Sequence, residues 1–348
     1  MFLHKDYLKK GSVVKKRIAL NGFGRIGKSF LRAVFSDKIA NDALDIVAIN
    51  TGPSHGVPLD YLFAYDTTMG TYTGDISLKD DYLCVDGRRI KIFSENDPQN
   101  LPWADLKVEW VVDASGKFTQ KKDAKKHLEA GAKGVLITAP SQDSDATIVL
   151  GVNDETFKKG RDVIVSLASC TTNALVPVLD VLHRTFILSS AAFTTIHSYT
   201  NNQVLLDSDG KDPRRARAAG LNIIPTTTGA TDLVDMILPA LRGKIKGCSV
   251  RVPTSNVSLI DVAFMAEKNI SRETINKAFQ SISNGSLQGV LSCTNKPLVS
   301  SDFKHNFHSV VIDTLLTETA GSLGKVFGWY DNEWGYSCRL KDFLVKYG

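Results

Sequence analysis

Two textures of hydrophobic patterning divide the chain. In the first half, short apolar runs alternate with polar stretches of helical period. Residues 17–21 (RIALN) read as a strand, and a helix is expected from about Arg25 to Ser36. A second strand is expected at 46–50 (IVAIN). Residues 82–85 and 89–93 flank Asp86-Gly87, a two-residue turn that favours a hairpin. Further apolar strands are expected at 110–113, 135–139 and 163–165, with a polar helix over 121–130. Such alternation predicts a mostly parallel sheet with helices on both faces.

After Cys170 the strands lengthen and alternate with period two, at 191–199, 250–253, 259–266, 309–315 and 325–329. That pattern suits a sheet with one face on the core. Helical runs are expected at 174–182, at 271–282 with Ser271 as its cap, and at 334–346. The texture changes near Ala168–Cys170, where a strand gives way to a helix.

At 348 residues the chain has room for two cores of similar size. Hydrophobic residues make up 43% and charged residues 23%, the balance of a soluble globular protein. No apolar run approaches the roughly 18 residues of a membrane span. The first sixteen residues carry Lys5, Lys9, Lys10, Lys15 and Lys16 but no continuous apolar block, so they read as a basic arm and not as a secretory signal. A net charge of +5 is spread thinly, which argues against a nucleic-acid partner and mildly favours anionic substrates. Cys84, Cys170, Cys248, Cys293 and Cys338 are odd in number and far apart. They suit neither a disulfide framework nor a CxxC metal site, so a reducing, cytoplasmic compartment and no metal are expected.

Gly22, Gly24 and Gly27 in NGFGRIG match G-x-G-x-x-G. They follow the first strand and open the first helix, the context in which glycines let a pyrophosphate approach a helix N-terminus. Phe23, Arg25 and Ile26 complete the loop. An acidic residue is expected at the end of the second strand to hold the ribose hydroxyls. Here that strand ends at Asn50 and continues with Thr51. Ser115-Gly116, after the strand ending in Asp113, suits backbone contact with the cofactor. The fold class expected is α/β. An N-terminal Rossmann dinucleotide-binding domain (17–168 with 332–348) follows a basic arm (1–16), and joins an α+β catalytic domain (169–331) with a mixed or antiparallel sheet.

Cys170 in Ser-Cys-Thr-Thr-Asn sits where a strand passes into a helix, so the dipole at the helix N-terminus favours a thiolate. The other four cysteines read as small buried hydrophobes. His197 lies near the end of a strand, in TTIHSYT. Spacing alone does not pair it with Cys170; two strand ends on one sheet edge would. Arg251 is a charge inside an apolar strand (CSVRVPT) and needs a partner, whereas Arg214 and Arg217 read as solvated or interface charges.

NGFGRIG, SCTTN, HSYTN, RRARAA, NIIPTTTGA, RVPT and WYDNEWGYS occur in this order. From Arg17 to the C-terminus the chain resembles the phosphorylating glyceraldehyde-3-phosphate dehydrogenases. The resemblance implies that Cys170 attacks the aldehyde of glyceraldehyde 3-phosphate, and that His197 raises its nucleophilicity and takes the hydroxyl proton as hydride leaves for the nicotinamide. Asn332 would hold the carboxamide, with Tyr336 packed near the ring. Inorganic phosphate would then attack the thioester and give the 1,3-bisphosphate, in glycolysis or in reverse. Thr200, Arg215 and Arg251 would serve the substrate phosphate; Ser169, Thr171, Thr228 and Gly229 would serve the attacking one. A homotetramer is implied, with residues 201–222 at a subunit interface. NAD is the expected cofactor, and NADP as well, because Thr51 stands where the family usually places aspartate. Ser208-Asp209 also replaces the usual Leu-Pro. Asn202 and Leu167 are further departures, where Asp and Asn are usual. Two alternatives remain open: an erythrose-4-phosphate dehydrogenase that hydrolyses its thioester, and a non-enzymatic binding role on the same scaffold.

Overall fold

The computed structural model describes residues 14–53 and 56–348. The basic arm therefore lies outside the described residues, apart from its last three positions. The chain divides into two compact units. One is formed by the chain up to Ile148 with Glu155–Ala168 and Ser337–Gly348, the other by Val149–Asp154 and Ser169–Tyr336.

The first unit is built on a nine-stranded sheet. Its strands are β1 (Lys16–Asn21), β2 (Leu44–Asn50), β3 (Ile76–Lys79), β4 (Tyr82–Val85), β5 (Arg88–Phe93), β6 (Trp110–Asp113), β7 (Gly134–Ile137), β8 (Ala146–Thr147) and β9 (Ile164–Ser166), in the spatial order β3-β4-β5-β2-β1-β6-β7-β9-β8. From β5 to β8 every pairing is parallel, while β3, β4 and β5 form an antiparallel meander. The β4–β5 turn holds Asp86 at φ 46° and Gly87 at φ 77°, the left-handed pair that a two-residue hairpin requires. Strands β1, β2, β6 and β7 are buried almost throughout, as expected of a sheet covered on both faces. Helix α1 (Arg25–Ser36) spans the residues expected of it. The short helices α2 (Lys38–Ala43) and α3 (Leu59–Ala64) were not expected, since six residues are too few to show a helical period. Helix α4 (Lys121–Glu129) follows β6.

In the second unit, α5 (Cys170–Phe186) leads into β10 (Leu188–Ser198), β11 (Ile224–Thr226), α6 (Ala230–Ile237), β12 (Ile245–Val252), β13 (Ser258–Ala266) and α7 (Arg272–Ser283). There follow β14 (Leu291–Thr294), β15 (Val310–Asp313), β16 (Glu318–Ala320), β17 (Leu323–Tyr330) and α8 (Trp334–Tyr347), the last of which continues into the first unit. The sheet runs β11-β12-β10-β13-β17-β15-β14, with β16 on β17. It is mixed: β10 pairs parallel with β12 and antiparallel with β13.

Helix α5 begins four residues earlier than the periodicity indicates and runs through Pro177. Thr and Asn propagate a helix poorly and hide the first turn. The start is set instead by Ser169, whose hydroxyl accepts from the Thr172 N–H at 3.0 Å.

Candidate active site

Cys170 is the first residue of α5, straight after its cap. The residue before the cap, Ala168, has φ 56°, a left-handed conformation that costs a non-glycine residue energy and turns the chain sharply out of β9. His197 lies on β10, and Arg251 lies directly opposite it on the parallel neighbour β12, so the two side chains share one face. The Cys170 Sγ is 3.6 Å from His197 Nε2. On the other side of the ring, Nδ1 is 2.7 Å from the Ser198 carbonyl oxygen and 2.6 Å from an Arg251 guanidinium nitrogen, which also donates to that carbonyl at 3.0 Å.

His197 is buried and Cys170 partly buried, and this burial sets much of the electrostatics. Burial pushes the Cys170 thiol up, opposed by the Arg251 charge. Burial, with Arg251 second, pulls His197 down to about 3. The N–H groups at the helix terminus favour the thiolate, as expected from the sequence, while desolvation of the sulfur works against it. Tyr330, which was not singled out from the sequence, stands edge-on to His197 with ring centroids 6.0 Å apart. Its hydroxyl joins Thr171 Oγ1 at 3.0 Å and Thr195 Oγ1 at 2.8 Å, fixing the Thr171 hydroxyl beside Cys170. Asn332 is buried, and its Oδ1 accepts from the Ser198 and Ser258 hydroxyls, each at 3.0 Å. That arrangement leaves its amide hydrogens to donate. Ser198 and Ser258 gave no signal of this role in the sequence, since a serine on an apolar strand reads as filler. Tyr336 is buried in the first turn of α8.

The residues expected to hold the attacking anion lie at two helix N-termini. Ser169 and Thr171 flank Cys170 at the start of α5; Thr228 and Gly229 precede α6, where Thr228 Oγ1 accepts from the Ala230 N–H at 3.2 Å. Such termini offer N–H groups and partial positive charge to an anion. Arg215 is braced by Thr226 Oγ1 at 2.8 Å and pairs with Asp212 at 3.4 Å. Pairing of β11 with β12 sets Ile224 against Arg251. The Thr200 hydroxyl donates to Asn202 Oδ1 at 2.5 Å, so the Asp-to-Asn departure is answered by a local hydrogen bond.

In the first unit a cleft of about 340 Å³ opens at the carboxyl ends of β1, β2 and β6. Gly22, Phe23, Gly24, Asn50, Thr51 and Ser115 line it, together with residues the sequence did not single out, among them Asn21, Lys117 and Phe118. Arg25 turns instead to Asp66, and Ile26, Gly27 and Gly116 are not among the lining residues. The three glycines differ in cause. A Cβ on Gly22, at φ 98°, would stand 2.6 Å from the Ser115 nitrogen, and one on Gly27 would stand 2.3 Å from the Gly22 oxygen. A Cβ on Gly24 would meet nothing within 4 Å, so that glycine leaves room in front of α1. Beneath the cleft, Asn50 donates to Asn21 at 2.7 Å and Asn21 to Asp113 at 2.9 Å, while Asp113 accepts from the Ser115 hydroxyl at 2.6 Å. This chain of bonds ties three strand ends together. The Thr51 hydroxyl is 2.9 Å from the Gly52 carbonyl oxygen and 3.3 Å from Ser94 Oγ.

Residues 16–121 match the model for the glyceraldehyde 3-phosphate dehydrogenase NAD binding domain, and residues 169–332 that for the C-terminal domain of the same enzyme. The chain is 45% identical to glyceraldehyde-3-phosphate dehydrogenase 2 of Bacillus subtilis over 332 residues, covering 95% of this chain and 96% of that protein. It is 48% identical to the chloroplastic glyceraldehyde-3-phosphate dehydrogenase A of Chlamydomonas reinhardtii, over 94% and 87% of the two chains. The chain belongs to the glyceraldehyde-3-phosphate dehydrogenase family. Its two family-model matches fall one in each unit of the fold, with the glycine loop in the first and Cys170 and His197 in the second. The glyceraldehyde-3-phosphate dehydrogenase of Geobacillus stearothermophilus is 43% identical over 94% of this chain. Among the described residues no helix is long and apolar enough to cross a membrane, and no group of three potential ligands is placed to hold a metal.

Proposed function

We infer that the protein catalyses the reversible phosphorylating oxidation of glyceraldehyde 3-phosphate. The observation that carries this reading is Cys170 Sγ at 3.6 Å from His197 Nε2, in a chain of this family. Cys170 adds to the aldehyde carbon and forms a thiohemiacetal. His197 takes the proton of its hydroxyl as hydride departs, which leaves an acyl thioester on sulfur. The residues of the first cleft fit a dinucleotide, with an open helix terminus behind Gly24 and polar strand ends around it. Bound there, the cofactor supplies the hydride acceptor. Asn332 would hold the carboxamide through its amide hydrogens, Tyr336 would pack near the ring, and Thr200, Arg215 and Arg251 would hold the substrate phosphate. Inorganic phosphate, held by Ser169, Thr171, Thr228 and Gly229, attacks the thioester and releases the acyl phosphate, so that Cys170 is regenerated. Steady-state turnover of glyceraldehyde 3-phosphate with and without inorganic phosphate tests the assignment. A thioester that hydrolyses freely, with turnover independent of phosphate, points instead to a non-phosphorylating enzyme.

Arg251→Ala is expected to raise the KM for glyceraldehyde 3-phosphate far more than that for unphosphorylated glyceraldehyde. A charge-assisted contact of this kind is worth about 1.5–3 kcal/mol. Equal losses with the two aldehydes make Arg251 a structural residue only.

The enzyme is also expected to accept NADP beside NAD with weak discrimination. A carboxylate about 4 Å from a 2′-phosphate costs several kcal/mol at an effective dielectric near 20, and Thr51 imposes no such cost. A second cleft beside Thr51 contains Ser94 and Lys91, but Lys91 is paired with Asp81 at 2.8 Å, and no arginine lines it. Strict NADP specificity is therefore not expected. The ratio of kcat/KM for the two cofactors decides: an NAD preference beyond about a hundredfold, roughly 2.7 kcal/mol, overturns the prediction.

A homotetramer working in the cytoplasm is proposed. Leu205, Leu206, Leu221 and Ile223 are 71–90% exposed in the single chain, an apolar surface within and beside residues 201–222 that a second copy would cover. Light scattering at micromolar concentration distinguishes monomer from tetramer.

A further inference from the structure

The contacts around His197 Nδ1 are chemically exclusive. A guanidinium nitrogen only donates, so in the tautomer in which Nδ1 accepts from Arg251, 2.6 Å away, the ring proton sits on Nε2. Nε2 is the nitrogen that faces Cys170 at 3.6 Å, and in that tautomer it cannot take a proton. The Ser198 carbonyl oxygen, 2.7 Å from the same Nδ1, is the partner for the opposite tautomer, with the proton on Nδ1 and the Nε2 lone pair directed at the sulfur. The position of the Arg251 guanidinium decides between the two. Arg251 is also one of the groups to which the proposed function gives the substrate phosphate.

We propose that an anion bound at Arg251 activates His197, by drawing the guanidinium off Nδ1 so that the ring proton moves from Nε2 to Nδ1 and is donated to the Ser198 carbonyl. The shift is a tautomerisation through solvent, with no net gain or loss of protons. It rests on the reading of His197 as the acid–base group, and it makes Arg251 a positioning residue as well as a phosphate ligand. The groups facing the ring are Cys170 from α5, Arg251 from β12 and the phenol of Tyr330 from β17, while the Arg215 charge acts on Arg251. Tyr330 is pushed upward by burial and stays neutral, so Arg251 is the charge that an incoming anion neutralises. The same neutralisation eases protonation of the imidazole, and it takes from the Cys170 sulfur the charge that pulls its thiol down.

The test needs neither cofactor nor turnover. The protein holds seven histidines, so ¹⁵N-histidine labelling with His197→Asn as the assignment control isolates the signals of His197. Without phosphate, Nδ1 is expected to resonate as an unprotonated acceptor and Nε2 as a protonated donor; saturating inorganic phosphate is expected to exchange them. The same tautomer with and without phosphate overturns the proposal. Arg251→Gln is expected to show no such exchange, and a full exchange in that variant also overturns the proposal. If the variant does not fold, the wild-type spectra decide alone. Failure of the catalytic reading is separate, and shows as turnover that survives loss of the Cys170 thiol.

Discussion

Cys170→Ser is expected to abolish dehydrogenation while the fold and cofactor binding persist. The side chain keeps its size, and the helix cap at Ser169 is untouched, so α5 still starts at the same residue. The nucleophile is what changes. The Cys170 thiol is already pushed up by burial, and a serine hydroxyl is a much weaker acid and a far poorer nucleophile than a thiolate. Loss of turnover should therefore approach the detection limit, with the affinity for NAD unchanged in a binding titration. One equivalent of iodoacetate should inactivate the wild type by modifying Cys170 first. Two competitors need watching for different reasons. Cys248 is exposed, whereas the Cys293 thiol is pushed up to about 11 by burial and should react slowly. Peptide mapping that finds Cys84, Cys248 or Cys293 labelled first, with activity intact, removes Cys170 from its role.

Much of this site was legible in the chain, and what was not has a common cause. The glycine loop declares itself because a strand, a tight turn and a helix are contiguous there, and α1 starts and stops at the expected residues. The Asp86-Gly87 hairpin is equally local, since its two residues carry the backbone conformation themselves. His197, by contrast, could not be paired with Cys170 from spacing, because the pairing depends on where β10 ends relative to the first turn of α5. The position of Arg251 depends on the parallel register of β10 and β12, in which His197 and Arg251 stand opposite. Between those strands come β11 and α6, so no local pattern encodes the match. Tyr330 lies inside a motif that drew attention for Asn332 and Tyr336, yet it is the hydroxyl of Tyr330 that holds Thr171. The thiol follows the same rule: a helix terminus can be read from sequence, but the burial that opposes it cannot.

His197→Asn is expected to lower turnover by roughly 10²–10⁴, the usual contribution of a positioned acid–base group, while leaving the fold and cofactor affinity in place. His197 is 4% exposed, so a substitution that left a hole or an unpaired polar group would confuse loss of chemistry with loss of structure. Asparagine limits both problems. Its amide can donate to the Ser198 carbonyl, which Nδ1 approaches at 2.7 Å, and its oxygen can accept from Arg251 in place of that nitrogen. It cannot exchange a proton near neutral pH. The Cys170 thiol then loses the only base within reach of its sulfur among the groups facing it, and burial keeps it protonated. Alkylation of Cys170 at neutral pH should therefore slow together with turnover, and should recover as pH rises and hydroxide removes the proton instead. That parallel separates the two parts proposed for His197. If alkylation slows but turnover with glyceraldehyde 3-phosphate stays near normal, His197 only tunes the thiol and another group takes the hydroxyl proton. If neither changes, His197 has no part in the mechanism.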